Sequence, residues 1–174
     1  PIGITVCEDI WEPGPPAMSE ALAGAQVLVN LSASPYRAGY GARRERMLTQ
    51  RAVDYLSAVV FVNTVGGQDE LVFDGHSLAI DQDGRVLARA PQFEESLTLC
   101  TIDPRAIAAA RLRDTRHRVN VRRQRRTASS TSWSAFGIVT RTVSGWTRSR
   151  IRSRSPLPPR TGTPCRRRLC SARS

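Results

Sequence analysis

The sequence predicts an α/β fold, with helices packed against a mixed sheet. Three observations carry that prediction. Short apolar, β-branched runs stand at 2–6, 26–31 and 59–62. Stretches of helical composition separate them at 17–25 and 43–58. An Asp-Gly pair at 83–84 joins two further strand-like runs, a strong hairpin signal.

In chain order, residues 2–6 (IGITV) read as a short buried strand that ends at Cys7. Two acids, Trp11 and the turn-rich Pro-Gly-Pro-Pro of 13–16 follow. Residues 17–25 suit a helix, with Ser19 and Glu20 near its start and Gly24 near its end. Residues 26–31 (QVLVNL) form the second strand, and Ser32-Ala-Ser-Pro35 leaves it. The Gly-rich YRAGYGA at 36–42 reads as a loop rather than a regular element. The helix at 43–58 sets Leu48, Ala52, Tyr55, Leu56 and Val59 on one face and leaves Arg43, Arg44, Glu45, Arg46 and Asp54 for solvent. After the third strand, Gln68-Asp-Glu70 and Asp74-Gly75 make a polar, acidic loop around Leu71-Val-Phe73. The hairpin runs over 76–80 and 85–89. Alternation at 96–102 predicts one more strand, and Asp103-Pro104 caps a short Ala-rich helix over 105–112.

Charge divides the chain in two. Residues 1–110 carry 8 Arg against 14 acids, a net of −6, whereas 111–174 carry 18 Arg against Asp114 alone, a net of +17. The net +11 of the whole therefore describes neither part. All 26 basic residues are Arg, and no lysine occurs. Beyond about Arg113 the hydrophobic periodicity collapses into Arg/Ser/Pro repetition, so 113–174 read as disordered, with a domain boundary at 118/119. From about residue 120 the composition also fits a GC-rich gene translated out of frame; an evolved, anion-binding tail is the other reading. The tail lacks an aromatic stacking pattern or an RNA-binding module, which argues against specific nucleic-acid recognition.

The four cysteines (7, 100, 165, 170) do not form a disulfide framework. Cys165 and Cys170, with four residues between them and no nearby His, make a poor zinc site, and no metal site is expected. No apolar run reaches the ~18–20 residues of a membrane span, and a reducing cytoplasm is the expected setting. The chain starts at Pro1 without Met, so its natural start is expected upstream.

Cys7 is the residue around which function is organised. Ligands and catalytic groups collect at the carboxyl edge of α/β sheets, and a thiol there is placed as a nucleophile would be. The competing reading of such a cysteine is a small buried hydrophobe.

Four stretches together resemble the later part of the glutaminase domain of glutamine-dependent NAD⁺ synthetases, within the carbon–nitrogen hydrolase (nitrilase) superfamily. They are Gly3-Ile-Thr-Val-Cys-Glu-Asp-Ile-Trp11, Asn30-Leu-Ser-Ala-Ser-Pro35, Arg43-Arg-Glu-Arg-Met47 and Gly66-Gly-Gln-Asp-Glu-Leu-Val-Phe-Asp-Gly75. The match covers about 1–118, and the last stretch points to the synthetase branch. The resemblance implies part of a four-layer α-β-β-α sandwich and a Cys-Glu-Lys catalytic trio. It makes Cys7 the nucleophile toward the glutamine carboxamide, the Glu8 backbone N–H the oxyanion donor, and Ser34 a glutamine contact. Arg37 or Arg43 stands where a basic residue would hold the substrate carboxylate. Asp69, Glu70 and Asp74 organise a loop near the site or a subunit contact, or form a solvated acidic face.

The trio's Glu and Lys lie upstream of the cysteine in the family. The implied partners are glutamine, the synthetase domain and further copies of the same chain, with no membrane. No cofactor is implied for this part; ATP and Mg²⁺ belong to a synthetase half whose Ser-Gly-Gly-Ile-Asp-Ser loop does not occur here. The chain as it stands is expected to be inactive. A stand-alone amidase or nitrilase and an Arg-rich nucleic-acid binder are the alternatives.

Overall fold

A computed structural model of the protein describes residues 1–128. The β-branched runs become parallel strands β1 (Ile2–Val6), β2 (Val27–Ser32) and β3 (Ala58–Asn63), joined by helices α1 (Ala17–Leu22) and α2 (Tyr40–Tyr55). A two-stranded hairpin, β4 (Val65–Gln68) and β5 (Leu71–Asp74), stands apart from the main sheet. Strands β6 (Leu78–Ile80) and β7 (Val86–Arg89) then extend the main sheet antiparallel, giving the order β1-β2-β3-β6-β7. Helices α3 (Pro104–Arg113) and α4 (Thr115–Ala128) follow.

The period-2 rule sorts the strand residues to two faces. Gly3, Leu28, Val59 and Ile80 lie in register, as do Thr5, Asn30, Phe61 and Leu78. These rows face the helices, where Leu28, Val59, Phe61 and Ile80 pack with Ile10, Ala17, Ala21, Leu48 and Ala52 in one core. The opposite face carries Ile2, Ile4, Val6, Leu31 and Val62, each between 43% and 58% exposed.

Several local expectations are corrected. Helix α2 starts at Tyr40, not 43, because Gly39 turns the chain at φ 75 and lets Tyr40, Gly41 and Ala42 enter the first turn. It stops at Tyr55, where Leu56 takes a left-handed conformation and donates its N–H to Ala52 and Val53. The acidic loop is the β4–β5 hairpin, turning at Asp69 (φ 52). Residues 96–102 make no strand: Leu97 and Leu99 are 89% and 83% exposed, so alternation there finds no neighbour to pair with. Arg44 is buried rather than solvated, its charge met by Asp74.

The end of the described chain also differs. Asp103 accepts the Arg105 N–H, so the expected cap is present. Arg111 reaches back to donate to the carbonyls of Ala25 and Leu56 and to Ser57 Oγ, tying α3 to the ends of α1 and α2. Helix α4 continues past the expected boundary at 118/119, and Gln124 Nε2 donates to the Ser19 carbonyl on α1 at 3.0 Å. Tertiary contact therefore orders an Arg-rich stretch that composition alone marks as disordered. The expectations for 129–174 lie outside the described residues.

Candidate active site

The site is built at the carboxyl edge of β1 and β2. Strand β1 ends at Val6, and a single 3₁₀ turn, Cys7–Ile10, follows at once. Cys7 sits at φ 48, a left-handed conformation that costs a non-glycine residue roughly 1–3 kcal/mol and needs its surroundings to hold it. Three groups do so. Asp9 Oδ2 accepts the Val6 N–H at 2.9 Å, Asn30 Nδ2 donates to the Cys7 carbonyl at 3.3 Å, and Arg51 donates to the carbonyls of Ile10 (3.1 Å) and Trp11 (2.7 Å). Asp9 is thus spent on the backbone and is not aimed at the thiol.

Cys7, Glu8, Trp11, Ser34, Pro35, Arg37 and Tyr40 line one cavity of about 190 Å³. Four of the site residues expected from the sequence, Cys7, Glu8, Ser34 and Arg37, meet there. Cys7 is partly buried and free, and Ser34 is 7% exposed. The Tyr40 ring stacks on Trp11 at 5.4 Å, and the guanidinium groups of Arg37 and Arg43 lie 5.8 and 5.5 Å from its centroid. Of these two arginines Arg37 lines the cavity and Arg43 does not.

Behind Ser34 lies a buried polar cluster. Arg44 Nη2 donates to both carboxylate oxygens of Asp74, at 2.9 and 3.1 Å, with the two side chains 1% and 2% exposed. Gln92 Nε2 donates to the same carboxylate at 3.0 Å, and Asn63 Nδ2 stands 3.4 Å from it. The Arg44 guanidinium also lies over the Phe61 ring at 5.3 Å. Of the three acids near the hairpin, Asp74 is structural, while Asp69 and Glu70 are exposed. Beside this cluster, burial first and then the Arg44 charge hold His76 below its ordinary pKa, in favour of the neutral ring.

Trp11, Tyr40, Asn30 and Asn63 are the site residues that sequence reasoning did not single out, and the pairing of Asp74 with Arg44 was likewise not foreseen. One signal was available for the asparagines: each is a polar residue at the end of an otherwise apolar strand run, VLVN and VVFVN. A larger cavity of about 440 Å³ lies elsewhere, between the open sheet face and residues 94–100. Its lining is mainly apolar, and the catalytic candidates are absent from it, so size does not locate the chemistry here. Among the described residues no group of three or more His, Cys, Asp or Glu could hold a metal ion.

This architecture is that of an α/β protein presenting a thiol at the carboxyl edge of its sheet. The carbon–nitrogen hydrolase profile matches residues 1–112, and the chain belongs to that family. It is 44% identical over 117 residues to the "Glutamine-dependent NAD(+) synthetase" of Aquifex aeolicus, covering 67% of this chain and 21% of that protein. With the protein of the same description from Thermotoga maritima the identity is 45% over 103 residues, 59% and 18% of the two chains. Among solved structures, a glutamine-dependent NAD⁺ synthetase from Acinetobacter baumannii in complex with ADP superposes at TM-score 0.52 and 35% identity, covering 55% of this chain and 18% of that one. A carbon–nitrogen hydrolase from Helicobacter pylori superposes at 0.58 and 26%, over 66% and 46%. The chain thus spans about a fifth of the curated relatives it matches. Helices and the five-stranded sheet are two of the layers of the family's α-β-β-α sandwich. No helix among the described residues is long and apolar enough to cross a membrane.

Proposed function

We propose that the chain is the nucleophile-bearing part of a glutaminase that hydrolyses glutamine through a cysteine thioester and supplies ammonia for ATP-dependent amidation of nicotinic acid adenine dinucleotide to NAD⁺. The convergence of Cys7, Glu8, Ser34 and Arg37 on one small cavity is the observation that carries this reading. In it, the Cys7 thiolate attacks the side-chain carboxamide carbon of glutamine. The carbonyl oxygen becomes an oxyanion, to which the Glu8 backbone N–H donates. The amide nitrogen takes up the proton that the thiol gave up, and collapse then breaks the C–N bond, releasing ammonia and leaving a γ-glutamyl thioester. Water then cleaves the thioester to glutamate and returns the thiol.

Ser34 and Arg37 serve recognition: the serine contacts the substrate, and the guanidinium pairs with its α-carboxylate, a geometry suited to Arg. The trio's lysine is not supplied by these 174 residues, which contain none, and Arg cannot replace it because it stays protonated. ATP and Mg²⁺ belong, in this reading, to the synthetase half, and no step above passes through them. Partnership with that half and with further copies of the chain forms part of the same proposal.

The test is a chimera in which this chain's matched segment replaces its counterpart in the Aquifex aeolicus protein. It is expected to release ammonia from L-glutamine, and its Cys7→Ala form to lose that activity by at least about 10³-fold. Glutamine hydrolysis retained in Cys7→Ala, or a preference for acetamide over glutamine, would contradict the proposal. The unaltered 174-residue chain is expected to release no ammonia above a Cys7→Ala control.

A further inference from the structure

We propose that Asn30 and Asn63 are separate positioning residues for the two walls of the pocket, Asn30 for the Cys7 turn and Asn63 for the Ser34 segment. The proposal builds on the glutaminase reading. Both asparagines lie on the helix-covered face, 0% and 6% exposed. Each serves the segment that leaves the preceding strand. Asn30 on β2 is in register with Thr5 on β1, and Asn63 on β3 is in register with Ser32 on β2. Each amide therefore stands at a strand end and reaches the chain just beyond its neighbour.

The hydrogen bonds fix which way each amide faces. Ser32 Oγ donates to Asn30 Oδ1 at 2.6 Å, so Asn30 Nδ2 is turned toward Thr5 Oγ1 (2.9 Å) and the Cys7 carbonyl (3.3 Å). The Asp74 carboxylate oxygens, which accept from Arg44 and Gln92, turn Asn63 Nδ2 toward themselves and the Ser34 carbonyl (3.2 Å). Asn63 Oδ1 is then left to accept the Ser34 N–H at 2.7 Å. Asn63 thus grips Ser34 by both backbone groups, and Arg44 and Gln92 hold Asp74 in place behind it. Val72 adds to this wall by accepting the Tyr36 N–H at 2.7 Å.

The two anchors have different consequences. Cys7 is held at a positive φ, so releasing its carbonyl lets the turn relax and misdirects the thiol. Ser34 is not a reacting group, so releasing it loosens substrate binding and leaves the nucleophile where it was. Asn30 therefore governs the covalent step and Asn63 governs affinity. Displacements near 1 Å are enough to cost about 10²-fold in a positioned reaction.

The experiment uses the full chain and a chloromethyl ketone isostere of glutamine. Its thioether forms as the Cys7 sulfur displaces chloride and the thiol proton passes to solvent. Asn63→Ala is expected to raise the half-saturating reagent concentration about tenfold while the limiting rate stays within twofold. Asn30→Ala is expected to lower the limiting rate about tenfold and leave half-saturation within twofold. Amide hydrogen exchange, which needs no reactivity, is expected to rise at 33–37 in Asn63→Ala and at 7–10 in Asn30→Ala. Should an alanine variant not fold, the milder Asn63→Ser and Asn30→Ser forms make the same comparison. Equal effects of the two substitutions on both constants, or exchange rising at both segments in each variant, would overturn the proposal. Non-saturable labelling of the unsubstituted chain would instead count against glutamine as ligand, and the exchange pattern alone then decides the anchoring.

Discussion

Both faces of the five-stranded sheet are rich in branched apolar side chains, but their settings differ. On the helix side Leu28, Val59, Phe61 and Ile80 are fully buried; on the other, Ile2, Ile4, Val6, Leu31 and Val62 lie open. Strands apolar on both faces belong to sheets that are covered on both sides. The open face is therefore built as an interior surface, and the family's sandwich sets a second sheet against such a face. The polar side chains are divided as unequally. Thr5, Asn30, Ser32 and Asn63 all lie on the covered side, at the end where the pocket opens, and they are hydrogen-bonded. The covered face stabilises the chain and aims the site, whereas the open face does neither among the residues described.

The sharpest way to break this comparison is to truncate neighbouring residues that point opposite ways. Phe61→Ala is expected to cost about 3–5 kcal/mol in a urea melt, and Val62→Ala no more than about 0.5. Equal costs would mean that the open face is covered in solution. Charge gives a second contrast. Asp74→Ala leaves Arg44 buried without its partner and is expected to cost about 3–5 kcal/mol. Arg89→Ala removes an ion pair with Glu45 whose arginine is half exposed, and is expected to cost at most about 1 kcal/mol. A smaller effect is expected from Leu31→Lys on the open face: stability unchanged within about 0.5 kcal/mol, but less self-association in sedimentation velocity.

The smallest effect concerns Glu20, whose Oε2 is buried without a partner beneath β1. Burial, before the nearby Asp9 charge, raises its pKa above the ordinary 4.5. A raised carboxyl pKa contributes stability that is fully present below 4.5 and lost as pH rises through the folded-state value. Glu20→Gln is therefore expected to gain a few tenths of a kcal/mol at pH 7, after allowance for solvent screening, and nothing at pH 4. Melts at the two pH values check the sign.

Much of this was legible in the sequence, and the omissions have physical causes. Strand and helix periodicity placed β1, β2, β3, α1 and α2, because each buries at least one apolar face. The strand end at Cys7, with the Ser34 segment, marked the pocket. Arg44 was misassigned to solvent because helical periodicity ranks residues by hydrophobicity and cannot see Asp74, thirty positions on in the hairpin. Residues 96–102 failed the other way: their alternation is real, but no strand edge accepts them. The order of helix α4 comes from packing on α1, which composition does not encode. The asparagine anchors depend on strand register, which a single sequence does not display.

If fold geometry rather than accessibility governs reactivity, Cys7 reacts ahead of Cys100. Cys7 is partly buried, whereas Cys100 is exposed. Accessibility alone would label Cys100 faster. The direct measurement is peptide mass spectrometry of the full chain after limited treatment with the glutamine chloroketone, with and without excess L-glutamine. The adduct is expected on Cys7, in preference to Cys100, Cys165 and Cys170, and glutamine is expected to suppress it. Labelling that favours Cys100, or Cys7 labelling indifferent to glutamine, would contradict this expectation.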